Sequence, residues 1–204
     1  FPESYLAKTN HESNNWRKSY LRAILDSSES INRVLLDRLW ECTVNNHGGI
    51  FDLGHWLDCL GCKKDIFQRH FDFLIEVKLV RELPRWNKNG NRRQEISPRY
   101  YICDSGLFHL THRILKFDDL STHSCAGESW EGFVLESLLS AAPSGTQASF
   151  YRNSAGHEID IVLEFESGLT WAVEVKVSDT KQAKPGFFHA CNDSLLFDLA
   201  VVAN

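Results

Sequence analysis

Two runs in the last third of the chain carry the strongest chemical signal: His157-Glu158-Ile159-Asp160-Ile161-Val162-Leu163 and Ala172-Val173-Glu174-Val175-Lys176-Val177. Alternate residues of an extended strand share a face. The second run therefore turns Val173, Val175 and Val177 toward a core and brings Glu174 and Lys176 out together on the solvent side, and Glu158 and Asp160 likewise share a face. A hairpin centred on Ser167 sets Asp160 opposite Glu174 and Glu158 opposite Lys176. Directly opposed carboxylates repel and destabilise a sheet by a few tenths to about 1 kcal/mol. A divalent cation removes that penalty. Mg²⁺ takes oxygen ligands from one or two carboxylates and keeps several waters, one of which can become a nucleophile. Lys176, on the same face, suits orienting that water or neutralising charge that develops on a phosphate. The spacing also fits a plain surface hairpin in which Glu158 and Lys176 form an exposed ion pair worth little.

Further signals are weaker. Lys63 to Arg99 holds 10 basic and 5 acidic residues, an excess suited to phosphate. Within it, Lys63, Lys64 and Arg69 fall on one predicted helix, and Arg92 and Arg93 in the turn Trp86-Asn87-Lys88-Asn89-Gly90-Asn91-Arg92-Arg93. Tyr151 and Arg152, just before the acidic run, suit stacking on or clamping a nucleic-acid strand, and equally a structural Tyr with a solvated Arg. Cys59-Leu60-Gly61-Cys62 with His55 upstream has the spacing of a zinc knuckle but lacks a fourth ligand. His109, His112 and His123 have no defensible ligand spacing, and His189-Ala190-Cys191 reads as helix packing rather than a nucleophile.

The elements that must position these residues follow from periodicity. Apolar residues at three-to-four spacing predict two helices between Trp16 and about Asn45, with Ser28 or Ser30 capping the second. Asp52–Cys59 reads as a short helix, Leu60-Gly61-Cys62 as a tight turn and Lys63–Ile75 as a second helix. Val77–Leu83 and Tyr100–Cys103 read as strands flanking the basic turn, and Asp104-Ser105-Gly106 as a turn after the second strand. Helix, turn, helix and two-stranded wing is a winged helix-turn-helix pattern. Such modules contact DNA or serve as protein–protein spacers, and a basic wing also serves simply to block edge pairing. From Glu128 to about Ala141 a helix follows, then strands at Ser149–Arg152, Glu158–Phe165 and Leu169–Val177, a helix at Ala183–Cys191 and a strand at Leu199–Ala203.

The 204 residues, 43% hydrophobic and 24% charged, are enough for one or two cores, which excludes collagen-like, disordered and small disulfide-framework classes. No apolar run reaches the ~20 residues of a membrane span, and the first residues lack a secretory pattern, so the expected compartment is the cytoplasm, with no membrane partner. Six scattered cysteines are expected to be reduced thiols. The net charge of −5 is divided unevenly: residues 1–125 carry 18 basic and 16 acidic side chains, residues 126–204 carry 4 and 11. The acidic half needs metal ions to approach a polyanion. The sequence holds no methionine, so the numbering is expected to begin inside a longer chain.

Asp160 and Glu174-Val175-Lys176, after a helix bearing Glu131, resemble the PD-(D/E)xK nuclease superfamily. The resemblance extends through Phe1–Leu6, Leu79–Trp86, Ser97–Leu107, Gly127–Val134, Phe150–Arg152, Glu158–Asp160 and Gly186–Cys191 to the C-terminal half of prokaryotic AAA-type ATPases that end in the domain of unknown function 4143. Arg99 stands where that family usually has Lys, and the wing has Gly90-Asn91-Arg92-Arg93 in place of the commoner Gly-Lys-Arg. The resemblance implies a P-loop ATPase domain before Phe1, which alone would hold ATP. It also implies Glu131, Asp160 and Glu174 as ligands of Mg²⁺ or Mn²⁺, with Lys176 as catalytic base or charge stabiliser.

The expected fold is α+β and α/β: a helical winged helix-turn-helix region over residues 1–120 followed by a PD-(D/E)xK restriction-endonuclease-like α/β domain over 121–204. Two functions fit it. One is DNA binding with metal-dependent phosphodiester cleavage, with Asp160, Glu174 and Lys176 catalytic, and Lys63, Lys64, Arg69, Arg92, Arg93 and Arg152 on nucleic acid. The other is a non-catalytic module that docks a partner or builds an ATPase homo-oligomer.

Overall fold

The computed structural model describes residue 4 and residues 6–27, 31–86, 97–177, 183–194 and 198–203. The basic turn with Arg92 and Arg93, and the proposed caps Ser28 and Ser30, lie outside the described residues. The chain is mixed α and β and forms two compact interleaved units, one from 1–82 and 100–126, the other from 83–99 and 127–204. The expected division at 120/121 runs once along the chain, whereas residues 83–99 group with the later unit.

The first unit is helical: α1 (Asn10–Leu25), α2 (Arg33–Asn45), α3 (Leu53–Leu60), α4 (Lys64–Glu76), α5 (Ser105–Thr111) and α6 (Phe117–Thr122). Short polar side chains start four of them by satisfying otherwise orphaned amides. Thr9 accepts from the Glu12 amide, Asn32 from Leu35, Asp52 from His55 and Asp104 from Leu107. Asp104-Ser105-Gly106 is therefore the start of a helix rather than only a turn. Between α3 and α4 the chain reverses at Gly61, whose φ of 63° is left-handed and favours a residue without Cβ. Phe51, Trp56, Phe67, Phe71 and Tyr100 meet in stacked and edge contacts at the centre of the core. With those positions inward, Lys63, Lys64 and Arg69 are exposed.

Strands β1 (Val80–Leu83) and β2 (Arg99–Ile102) pair as a ribbon through which the chain passes from one unit to the other and back. The segment leaving β1 does not go straight into a free turn. Phe150 donates to the Pro84 carbonyl at 2.9 Å and accepts from the Trp86 amide, so Pro84–Trp86 lies alongside β3 of the second unit.

That unit contains α7 (Ala126–Ala141), β3 (Gln147–Arg152), β4 (Glu158–Glu164), β5 (Thr170–Val175), α8 (Pro185–Ser194) and β6 (Leu199–Ala203). Its sheet order is β3-β4-β5-β6, the first three antiparallel and β6 parallel to β5. The β4–β5 register, Ile161 opposite Val173 through Glu164 opposite Thr170, is the one set by a turn centred on Ser167. Gly168, at φ 87°, closes that turn. α8 covers one sheet face, packing Phe187 and Ala190 with Ile159, Val162 and Ala172.

None of the six cysteines is in a disulfide, and no described helix is long and apolar enough to cross a membrane. His109 and His112 of the first unit are held below the ordinary imidazole range, foremost by burial. A base whose pKa falls on folding binds more protons when unfolded, so stability is full above about pH 6.5 and declines as pH drops below it. Denaturant unfolding between pH 7 and pH 5 should show this loss, and His112→Gln should flatten the slope; an unchanged slope would remove His112 from the account.

Candidate functional site

The second unit contains a cavity of about 630 Å³ lined by Glu131, Glu158, Asp160, Glu174, Lys176 and Lys184 among others. Glu131 comes from α7, Glu158 and Asp160 from β4, Glu174 from the end of β5, Lys176 from just beyond it, and Lys184 from the residue before α8. The four residues to which the sequence assigned metal and proton chemistry thus share one cavity.

A β-bulge shapes its floor. Between the pairs Ser149–Val162 and Tyr151–Ile159, β4 advances three residues while β3 advances two. One extra residue interrupts the alternation, as bulges beside functional sites often do. Ile159 and Val162, an odd number of residues apart, consequently join the same apolar cluster, and strict alternation from Glu158 onward does not hold. Asp160, at the bulge and beyond the last β4–β5 pair, accepts the Val175 amide through Oδ2 at 2.8 Å.

Burial is the main departure from expectation. Glu174 is only 4% exposed rather than on a solvent face, while Val177, expected to point inward, is 51% exposed. β5 is an interior strand between β4 and β6, and α8 covers the face that carries Ala172. Glu174 therefore feels α8 as well as Asp160. Burial first, then the Asp160 charge, push its carboxyl above the usual range, and the hydrogen bond and charge of Lys176 oppose that rise. Lys176 Nζ donates to Glu174 and, at 3.2 Å, to the Val175 carbonyl. Cys191 on α8 is pushed up to about 11 by burial and by the Glu174 charge, which leaves a packed thiol rather than a nucleophile.

Glu158 and Glu131 have a different cation. Arg99, at the start of β2, bonds both Glu158 and, at 3.4 Å, Glu131, and its guanidinium lies 4.7 Å from the centre of the Phe150 ring. Glu158 also meets Arg152 at 3.7 Å, because the bulged register pairs Arg152 with Glu158, so the expected Glu158–Lys176 pair is not made. Sequence reading noted Arg99 only as an Arg where Lys is usual; nothing in its local spacing announces two acids distant in the chain.

Asp160 and Glu174 thus form a two-carboxylate set beside a cavity, which suits an ion that keeps most of its waters. Glu131 stands apart on Arg99, and among the described residues no group of three or more His, Cys, Asp or Glu has the arrangement of a metal site. The same holds for His55, Cys59 and Cys62: the His55 ring lies 3.5 Å from the Cys59 sulfur, an intrahelical contact. Tyr151 packs edge-on against Trp86, which favours the structural role for it, whereas Arg152 is exposed.

Residues 1–119 match the family model described as Domain of unknown function (DUF8612). The chain belongs to this DUF8612 family. Downstream of the DUF8612 region, residues 126–202, which include every residue that lines the acidic cavity, match Domain of unknown function (DUF4143). Two curated relatives, "Uncharacterized protein Rv2008c" of Mycobacterium tuberculosis and "Uncharacterized protein Mb2031c" of Mycobacterium bovis, are each 31% identical over 209 residues, covering 98% of this chain. The chain spans about half, 46%, of the length of each. No solved structure matches it.

Replacing Lys176 by Met would leave Glu174, beside Asp160, without its cation. Removing one partner of a buried ion pair costs about 3 kcal/mol or more. Because the Glu174 pKa is raised on folding, the folded state gains relative stability below the unfolded carboxyl value and loses it as pH rises through the folded one. Lys176→Met should therefore be strongly destabilised at pH 7 and much less so at pH 5 in denaturant melts. Equal deficits at both values would mean that the Lys176–Glu174 charge pair is not what holds this site.

Proposed function

We propose that the 126–202 region is a nuclease-like domain that hydrolyses phosphodiesters with Mg²⁺ or Mn²⁺, and that the helical DUF8612 region binds DNA. The observation that carries this reading is the meeting of Asp160, Glu174 and Lys176 in one cavity, with Glu174 buried and charge-strained by Asp160. It is supported by the order helix, three strands, helix, strand, and by the resemblance of Asp160 and Glu174-Val175-Lys176 to the PD-(D/E)xK superfamily. Asp160 and Glu174 would hold the ion, and an ion so held lowers the pKa of its water and neutralises phosphate charge. Lys176, on a flexible stem, would leave Glu174 for the attacking water or the phosphate oxygen. Arg152, exposed on the edge of β3 next to Glu158, suits the polyanion backbone.

In the helical region, α3, the Gly61 turn and α4 followed by the β1–β2 ribbon support a winged helix-turn-helix, with Lys63, Lys64 and Arg69 on the solvent side of α4. The chain spans 46% of the length of its curated relatives, and its resemblance to AAA-type ATPases supports a role as one part of such a protein, with ATP bound by a separate P-loop domain. A second reading, a nuclease-derived module kept for partner docking or oligomerisation, is favoured by one observation: Glu131 is engaged by Arg99 rather than gathered with Asp160 and Glu174.

Calorimetric titration of Mn²⁺ with a plasmid-cleavage assay, on the parent chain and on Asp160→Asn, separates the two. Binding and cleavage that disappear together in the variant are expected; a parent that neither binds nor cleaves would leave the docking module. For the DNA surface, Lys63→Gln with Lys64→Gln should weaken duplex affinity and reduce the slope of log K against log salt by about 2 if each lysine neutralises one phosphate. A parent whose binding ignores salt would exclude that surface.

A further inference from the structure

Five acids line the cavity, and the four other than Glu128 are divided between two protein cations of different character. Arg99 holds Glu131 and Glu158, and Lys176 holds Glu174, whose neighbour is Asp160. The Arg99 side chain is 9% exposed and lies against the Phe150 ring. A guanidinium does not lose its proton in a protein, so this buried charge needs its carboxylates permanently. Its planar fork can engage two acids at once, and the aromatic face adds to the hold. Lys176 is a point charge on a flexible four-carbon stem, able to move off Glu174. An arriving cation therefore meets one pair of carboxylates whose partner can yield and another whose partner cannot.

We propose that Arg99 is a positioning residue that keeps Glu131 out of the ion site, so that the cavity takes one divalent ion on Asp160 and Glu174 alone. The proposal rests on the metal reading above and departs from the three-carboxylate set that the sequence resemblance implies. Arg99 then replaces the third ligand's charge with a fixed internal pair, and a helical Glu becomes part of the scaffold.

Titration of Mn²⁺ into the full chain and its variants, followed by calorimetry, tests this without recourse to activity. Glu131→Gln, which keeps an acceptor for Arg99, should leave Mn²⁺ affinity where it is in the parent, while Asp160→Asn should lose about 100-fold or all of it. Arg99→Gln should release Glu131 and tighten binding by about tenfold or more. Adding Glu131→Gln to Arg99→Gln should abolish that gain, whereas adding Glu158→Gln, which changes the net charge equally, should not. Arg99→Lys, which keeps the charge but not the fork, should fall between the parent and Arg99→Gln.

Loss of affinity in Glu131→Gln comparable to that in Asp160→Asn would overturn the proposal while leaving the metal reading intact. Equal rescue by the two double variants would also overturn it, since the field alone would then account for the gain. Absence of Mn²⁺ binding in the parent would overturn the metal reading itself and this proposal with it. Should Arg99→Gln fail to unfold cooperatively, the comparison of Glu131→Gln with Asp160→Asn decides the matter.

Discussion

A carboxylate buried to 4% exposure beside another carboxylate is the constraint around which the second unit is arranged. Glu174 sits on an interior strand, so water cannot solvate its charge, and Asp160 lies close enough to raise the cost of ionisation. Its ionised form requires a cation at hand. Lys176, two residues on, supplies one by a contact that ends the strand: its ammonium also bonds the Val175 carbonyl. Asp160 in turn is fixed by the Val175 amide, so the backbone of one residue ties both acids and the lysine into a single arrangement. A fold seeking stability alone would fill such a position with apolar side chains. Its retention here, facing a cavity, is the feature that most needs a functional explanation.

The bulge in β4 is the geometric counterpart of that electrostatic arrangement. One extra residue relative to β3 lets Ile159 and Val162 both face α8 while Asp160 turns to the Val175 amide. It also brings Glu158 level with Arg152 and within reach of Arg99, far from the lysine that a regular hairpin would set opposite it. Pro84–Trp86, bonded along β3 around Phe150, supports the same corner, and Phe150 in turn lies under the Arg99 guanidinium. The segment 83–99 thus contributes to the acidic unit both an added edge and its buried arginine.

The helical unit is built on simpler terms. Its capping residues, the left-handed Gly61 and the aromatic cluster around Phe51 and Phe71 are local or apolar features, and the charged residues of α4 are exposed because the other positions of that helix are committed inward. The side chains of this surface are solvated one by one, whereas the cavity of the second unit depends on individual partners.

Much of this was legible in the residues. Periodicity located α2 to α4, α7 and all four strands of the second sheet to within a few residues, and the turn at Ser167-Gly168 set the β4–β5 register. Identity and spacing also picked out Asp160, Glu174 and Lys176, because adjacent strands of a hairpin are close in sequence. Three things were decided only in three dimensions. Burial of Glu174 depends on β6 and α8, which arrive later in the chain; the bulge depends on a mismatch between two strands; and Arg99 reaches Glu131 and Glu158 across 32 and 59 residues. Local sequence specifies which face a strand offers and which residue types it carries, while the partners of a buried charge are fixed by whatever the completed fold packs against it.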